Sequence, residues 1–229
     1  MRTRVFILST AIAMILMAGM SAFASEAGPG MTANEALAKL MEGNQRYAAN
    51  QLTINNSGDP KVRQALVAGQ KPFAVILTCS DSRVPPEIIF DRTLGEIFVV
   101  RVAGNVADPV VLGSIEYAAE HLGCPLVMVL GHQKCGAVSA AFDATGEPHG
   151  NIGAIIETIA PAVKKAGKPA KPSDKAALVE TAIDNNIKLV SQSLTEKSDV
   201  IKSLVKEKKL RIVGAKYSLD SGRVIIYAD

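Results

Sequence analysis

The chain has 229 residues, with 25 basic against 22 acidic side chains for a net charge of +3, and is 48% hydrophobic with only 4% aromatic residues. A near-neutral balance without a long basic run or many aromatics excludes the charged stripe and the stacking platform of a nucleic-acid binder. The length suits one domain with a sizeable core, and the partner implied is a small molecule.

Arg2 and Arg4 precede an apolar run, residues 5–20, that ends in Ala22-Phe23-Ala24. This is the pattern of a secretory signal with an A-x-A site, so cleavage is expected after Ala24 and the destination is periplasmic or secreted. The run is shorter than the roughly 20 apolar residues of a spanning helix, and no stable membrane anchor is expected. Residues 25–229 then form a single domain with net charge +1, since the signal removes two of the 25 basic residues and none of the 22 acidic ones. Exported chains usually hold cysteines in disulfide pairs, and the three cysteines here are an odd number. That count points to another use for them, metal ligation foremost.

Thr32 followed by Glu35 reads as a capping box, and apolar residues at Ala36, Leu37, Leu40, Met41 and Tyr47 predict an amphipathic N-terminal helical arm over about 31–50. A polar linker separates this arm from the rest, which suggests that it packs on a neighbouring subunit. A short helix is expected over 60–68. The runs 73–78, 97–102 and 126–130 are almost wholly apolar, as in strands buried on both faces of a parallel sheet. Between the second and third runs, Asp108 as cap and Pro109 in the first turn open a helix. Beyond Gly131 the pattern is helical, broken by a linker over 165–172 and resumed over 173–208. Residues 210–217 and 223–227 alternate apolar and polar around Asp220-Ser221-Gly222, which predicts a terminal antiparallel hairpin. The fold class is therefore α/β: a mostly parallel central sheet with flanking helices and a C-terminal antiparallel strand.

Ligand sites of open α/β sheets lie outside the carboxyl ends of the strands, and two unusual motifs fall there. The first strand runs into Cys79-Ser80-Asp81-Ser82-Arg83, and the third into Gly131-His132-Gln133-Lys134-Cys135-Gly136. Cys79, His132 and Cys135 would offer two thiolates and an imidazole, a set suited to zinc with one tetrahedral position left over. Each residue alone reads more simply as packing, because free cysteine is among the most buried residue types. Two of the only three cysteines at neighbouring strand ends, beside a charged D-x-R, favour the metal. Cys124, before Pro125, has no polar company and reads as buried structure.

The motifs C-S-D-S-R-V-P-P-E, R-V-A-G-N and G-H-Q-K-C-G-A resemble the signatures of the β-class carbonic anhydrases, without a gap over residues 70–138. The resemblance implies one zinc per chain on Cys79, His132 and Cys135, with a dyad of Asp81 and Arg83 beside it. It implies reversible hydration of carbon dioxide to bicarbonate, in a homodimer or homotetramer whose active sites lie at subunit interfaces. One site pattern of the family has Trp three residues before the first ligand cysteine; Ile76 stands there, and the chain has no tryptophan. The plant-like pattern, with a substrate-side glutamine matched by Gln70 and aromatics matched by Phe98 and Tyr117, fits better. It implies an open site in which water or hydroxide, not Asp81, is the fourth ligand.

Zinc acidifies its bound water, and the hydroxide attacks carbon dioxide. Two thiolates cancel the charge of the metal, so this water should be less acidic than on three neutral imidazoles and turnover should rise on the alkaline side of neutrality. Arg83 holding Asp81 by two hydrogen bonds would keep the carboxylate off the metal as an orienting acceptor. Gln70 and the Gly136 amide would contact bicarbonate, with Phe98 and Tyr117 as pocket walls. Neither His121 nor His149 is expected to shuttle protons, a task left to buffer. The rival readings are a carbon disulfide or carbonyl sulfide hydrolase on the same ligands, a structural zinc module, and, last, a thiol redox protein, which lacks the C-x-x-C spacing.

Overall fold

A computed structural model describes residues 30–54, 58–146 and 150–227; the expected signal, its cleavage site and His149 lie outside them. Five strands form one sheet: β1 (Ala74–Thr78), β2 (Ile97–Arg101), β3 (Leu126–His132), β4 (Arg211–Tyr217) and β5 (Val224–Ile226). Their order is β2-β1-β3-β4-β5, parallel throughout except for the antiparallel β4–β5 hairpin. The apolar runs form strands because both faces of the sheet are covered. Val75, Leu77, Val127 and Val129 enter one core cluster, while Ile76, Leu126, Met128 and Leu130 enter the other. This is the two-residue period of a pleated strand.

The first cluster is closed by α4 (Pro109–Glu116), α5 (Gly136–Asp143), α6 (Ile152–Ala166), α7 (Lys175–Lys197) and α8 (Asp199–Lys206). Asp108 caps α4 through the Val111 amide at 2.8 Å, as its position before Pro109 predicts. Two short elements are not foreshadowed by periodicity: α3 (Pro86–Ile89) and a π-turn over Tyr117–His121. The helix α2 (Pro60–Ala65) ends three residues short of its expected end. No helix among the described residues is long and apolar enough to cross a membrane.

The helix α1 (Ala33–Ala48) opens with the predicted capping box, Thr32 and Glu35 each bonding the other's backbone N–H. Within its own chain, α1 closes the second core cluster. Ala36 and Leu40 are wholly buried there, and the Asn44 side chain bonds the carbonyls of Ile89 and Gly222 and the amide of Val224. Gly43 lies so close to the Phe90 carbonyl that a Cβ would stand 1.8 Å from its oxygen, which is why the helix carries glycine at this contact.

Candidate metal centre

The chain passes from β1 to β2 on one side and returns to β3 on the other, so the carboxyl ends of β1 and β3 flank the switch point of the sheet. Cys79 directly follows β1, His132 is the last residue of β3, and Cys135 stands at the N-cap of α5. Their ligand atoms all lie within 4.8 Å of one another, and all three residues are buried. A tetrahedral zinc with bonds of about 2.0–2.3 Å holds its ligand atoms some 3.5 Å apart, so a small contraction closes the set. The turn that brings Cys135 back to His132 uses Lys134 in the left-handed region, φ 51°. Its amide is held by Glu180 Oε1 at 2.8 Å, and Gln133 is tied to the hairpin through Leu219 N–H at 2.9 Å.

His132 is oriented for a metal. Its Nδ1 lies 2.8 Å from the Gln133 carbonyl, which can only accept, so Nδ1 carries the hydrogen and Nε2 presents its lone pair. That Nε2 is buried and has no hydrogen-bond partner among the described residues. A buried acceptor without a donor is costly, and a cation at this point would satisfy it. The thiols tell the same story. The hydrogen bond with Cys135 holds the Cys79 thiol well below its ordinary range, with a further hydrogen bond from Gly104 N–H at 3.3 Å, while that same bond to Cys79 and burial push Cys135 up. Two thiols this close to one imidazole nitrogen would give up their protons to a soft divalent cation. The donor set and its geometry fit zinc.

Asp81 and Arg83 form the expected dyad: Arg83 Nε donates to Oδ1 at 2.9 Å and Nη2 to Oδ2 at 2.7 Å. The guanidinium holds the Asp81 carboxyl well below the usual carboxylate range. Asp81 Oδ2 is 3.8 Å from His132 Nε2, at the edge of the cluster. Arg101, at the end of β2, donates to the carbonyls of Cys79 at 3.1 Å and Asp81 at 2.6 Å, clamping the loop that carries both. The motif R-V-A-G-N marks Arg101 and Gly104 in the sequence, but a bond to a backbone carbonyl leaves no trace in residue type.

Of the remaining candidates, Gly136 adjoins the cluster through Cys135, while Gln70, Phe98 and Tyr117 are not brought to it within one chain. Gln70 is exposed in the turn before β1, at the opposite end of that strand from Cys79. Phe98 is in register with Val75, three residues short of the level at which Arg101 faces Thr78. It pairs with the half-exposed Tyr117, ring centroids 6.3 Å apart. Gly136 opens α5 beside Cys135, with nothing within 4 Å of where a Cβ would stand. His121 is exposed beside Glu120. Cys124 is buried at the entry of β3, its sulfur on the Pro72 carbonyl at 3.1 Å, and burial pushes its thiol up to about 12, as befits a structural residue.

Comparison with known proteins agrees with this geometry. The sequence model of a family described as carbonic anhydrase matches residues 74–224. The chain is 42% identical over 190 residues to carbonic anhydrase 2 of Mycobacterium tuberculosis, covering 82% of this chain and 89% of that one. Among solved structures it resembles the β-carbonic anhydrase of Coccomyxa in complex with acetazolamide, with a TM-score of 0.69, 22% identity, and 84% and 86% of the two chains covered. It also resembles a structure reported among two tetrameric β-carbonic anhydrases of Sordaria macrospora, with a TM-score of 0.67, 20% identity, and 84% and 97% covered.

Proposed function

Since this chain belongs to the β-carbonic anhydrase family and is a carbonic anhydrase, we propose that it interconverts carbon dioxide and bicarbonate at one zinc ion held by Cys79, His132 and Cys135. The observation that carries the reading is the unpartnered, buried Nε2 of His132 among two cysteines, beside a carboxylate that an arginine holds in place. When bound there, zinc supplies Lewis acidity and, through it, a nucleophilic oxygen at ambient pH.

The chain's own residues set the rest. Arg83 occupies both oxygens of Asp81 from one side. This supports an open site, in which the carboxylate is withheld from the metal and stays ionised, able only to accept a hydrogen bond and so to orient the nucleophile's proton. The Gly136 N–H at the start of α5 is available to the developing anion. Gln70 and the Phe98–Tyr117 pair lie away from their own cluster. A substrate-side role for them therefore belongs to a second copy, in a homodimer or homotetramer, and the tetrameric Sordaria relative supports such assembly. The sequence pattern of residues 1–24 supports export, with residues 25–229 as a single mature domain.

The test is stopped-flow hydration of carbon dioxide by the purified protein, with zinc measured on the same sample. About one zinc per chain with turnover that rises toward alkaline pH is expected, because two thiolates damp the acidifying power of the metal. Zinc without hydration at any pH would defeat the assignment, and carbonyl sulfide and carbon disulfide run in the same apparatus would then reveal the rival activity.

A further inference from the structure

We infer that Asn186, on α7 and far in sequence from every metal-site motif, is a positioning residue for the metal centre, acting through Gly104, whose carbonyl it holds and whose N–H meets Cys79. Asn186 is 2% exposed, and its Nδ2 donates to the Gly104 carbonyl at 2.8 Å. The N–H of the same glycine donates to Cys79 Sγ at 3.3 Å. Gly104 sits in the left-handed region, φ 71° and ψ 14°, inside the short turn Ala103–Asn105. A Cβ there would come within 2.6 Å of Ile159 Cδ1 and 3.2 Å of the Ala137 side chain. Glycine is thus required by space, and glycine is also the residue least able to hold its own conformation. Its N–H and its carbonyl lie in successive peptide units joined at Cα; the second unit is held by the Asn105 N–H on the Val102 carbonyl at 2.9 Å and by Asn186 on the Gly104 carbonyl, and the N–H that meets Cys79 is placed from that anchored side.

The consequence is chemical as well as geometric. An N–H donated to a metal-bound thiolate draws charge from the sulfur and fixes the lone pair that faces the metal. Without Asn186 the turn keeps its Asn105–Val102 bond but loses the anchor on the Gly104 carbonyl, so the glycine relaxes about its own φ and ψ, its N–H drifts from the sulfur, the sulfur becomes more electron-rich, and the ligand is less well held. The same helix also reaches the other ligand loop, through Glu180 on the Lys134 amide, so α7 acts as the rigid element against which both halves of the site are aligned. A purely structural role would be satisfied by any donor to a buried carbonyl and would leave the sulfur unaffected.

The inference rests on Cys79 being a metal ligand, and the experiment separates the two. The full chain is loaded with cobalt(II) in place of zinc, and the thiolate-to-metal charge-transfer band is recorded for wild type, Asn186→Ala, Asn186→Leu and Val190→Ala. The last removes buried packing from the same helix without touching Gly104. In parallel, release of zinc to a strong chelator is timed for each. Both Asn186 variants should move the band to longer wavelength and release zinc about tenfold faster, as loss of an outer partner of a ligand does, while Val190→Ala changes neither. Asn186 variants that match Val190→Ala in band and release rate would overturn the role of Asn186 while leaving the zinc site standing. A wild-type chain with no thiolate band would sink the zinc site and this inference together. If both Asn186 variants fail to fold, the wild type loaded with NMR-active cadmium gives the answer: a coupling between the metal and the Gly104 amide proton across the sulfur is expected, and its absence contradicts the inference.

Discussion

Two aspartates of this chain are each held by an arginine, and the contrast between them separates structure from chemistry. Asp91, whose side chain is fully buried, receives Arg46 Nε at 2.5 Å, the amides of Thr53 and Ile54 at 2.8 and 3.0 Å, and the Thr53 hydroxyl at 2.7 Å. Both oxygens are saturated from several directions, and the carboxylate staples the segment after α1 to the end of α3. Among the described residues the Asp81 carboxylate takes its hydrogen bonds from a single residue, Arg83, one of them from the backbone. Its Oδ2 accepts only one, and that oxygen is the one 3.8 Å from His132 Nε2. A carboxylate with every lone pair spent is a structural part; one oriented by an arginine and left with acceptor capacity toward Cys79, His132 and Cys135 is what the proposed orienting role requires.

The contrast can be broken by substitution. Cys135→Ala should have the largest effect, abolishing zinc binding and with it all hydration above background; metal analysis after gel filtration checks the first and stopped flow the second. Asp91→Ala comes next and acts on stability alone: leaving Arg46 without its buried partner should cost about 3 kcal/mol in a denaturant titration, with turnover per zinc-loaded chain unchanged. Asp81→Ala should do the converse. Zinc stays, the unfolding midpoint scarcely moves, and kcat falls about 10- to 100-fold; if its activity equalled wild type, the orienting role would be wrong.

The smallest effect is on acid tolerance. Burial alone would raise the Asp91 carboxyl, but Arg46, Thr53 and Ile54 outweigh it and bring it from its ordinary 3.8 down to about 2. A depressed carboxylate contributes stability that is complete above the unfolded value and lost as pH falls through the folded one. The contribution, about 2 kcal/mol, should therefore disappear between roughly pH 4 and pH 2. Asp91→Asn should flatten that limb of the stability curve; an unaltered limb would mean that other carboxylates govern acid unfolding.

Much of this could be read from the sequence, for definite reasons. The runs 73–78, 97–102 and 126–130 stand out as apolar, those of β1 and β3 because both strands are buried throughout, and β4 and β5 stand out because they alternate around a turn. The path of α1 could not be read: amphipathicity says that Ala36 and Leu40 are buried, not what buries them, and the contact with Phe90 and the hairpin is settled by long-range fit at Gly43 and Asn44. At the site, Cys79, His132, Cys135, Asp81 and Arg83 are legible because their chemistry is carried by residue type. Arg101 on two carbonyls, and Gly104 on a sulfur, act through the backbone and have no such signature. Gln70, Phe98 and Tyr117 are pointed to by resemblance alone, and one chain leaves them away from the cluster.

The claim that a zinc ion sits on Cys79, His132 and Cys135 with Asp81 withheld is tested most directly by zinc-edge X-ray absorption on wild type and Asp81→Ala, at the alkaline pH where turnover is expected. The account predicts the same shell in both, two sulfurs at about 2.3 Å and two lighter atoms at about 2.0–2.1 Å. A shell without two sulfurs, or one that changes when Asp81 is removed, would contradict it.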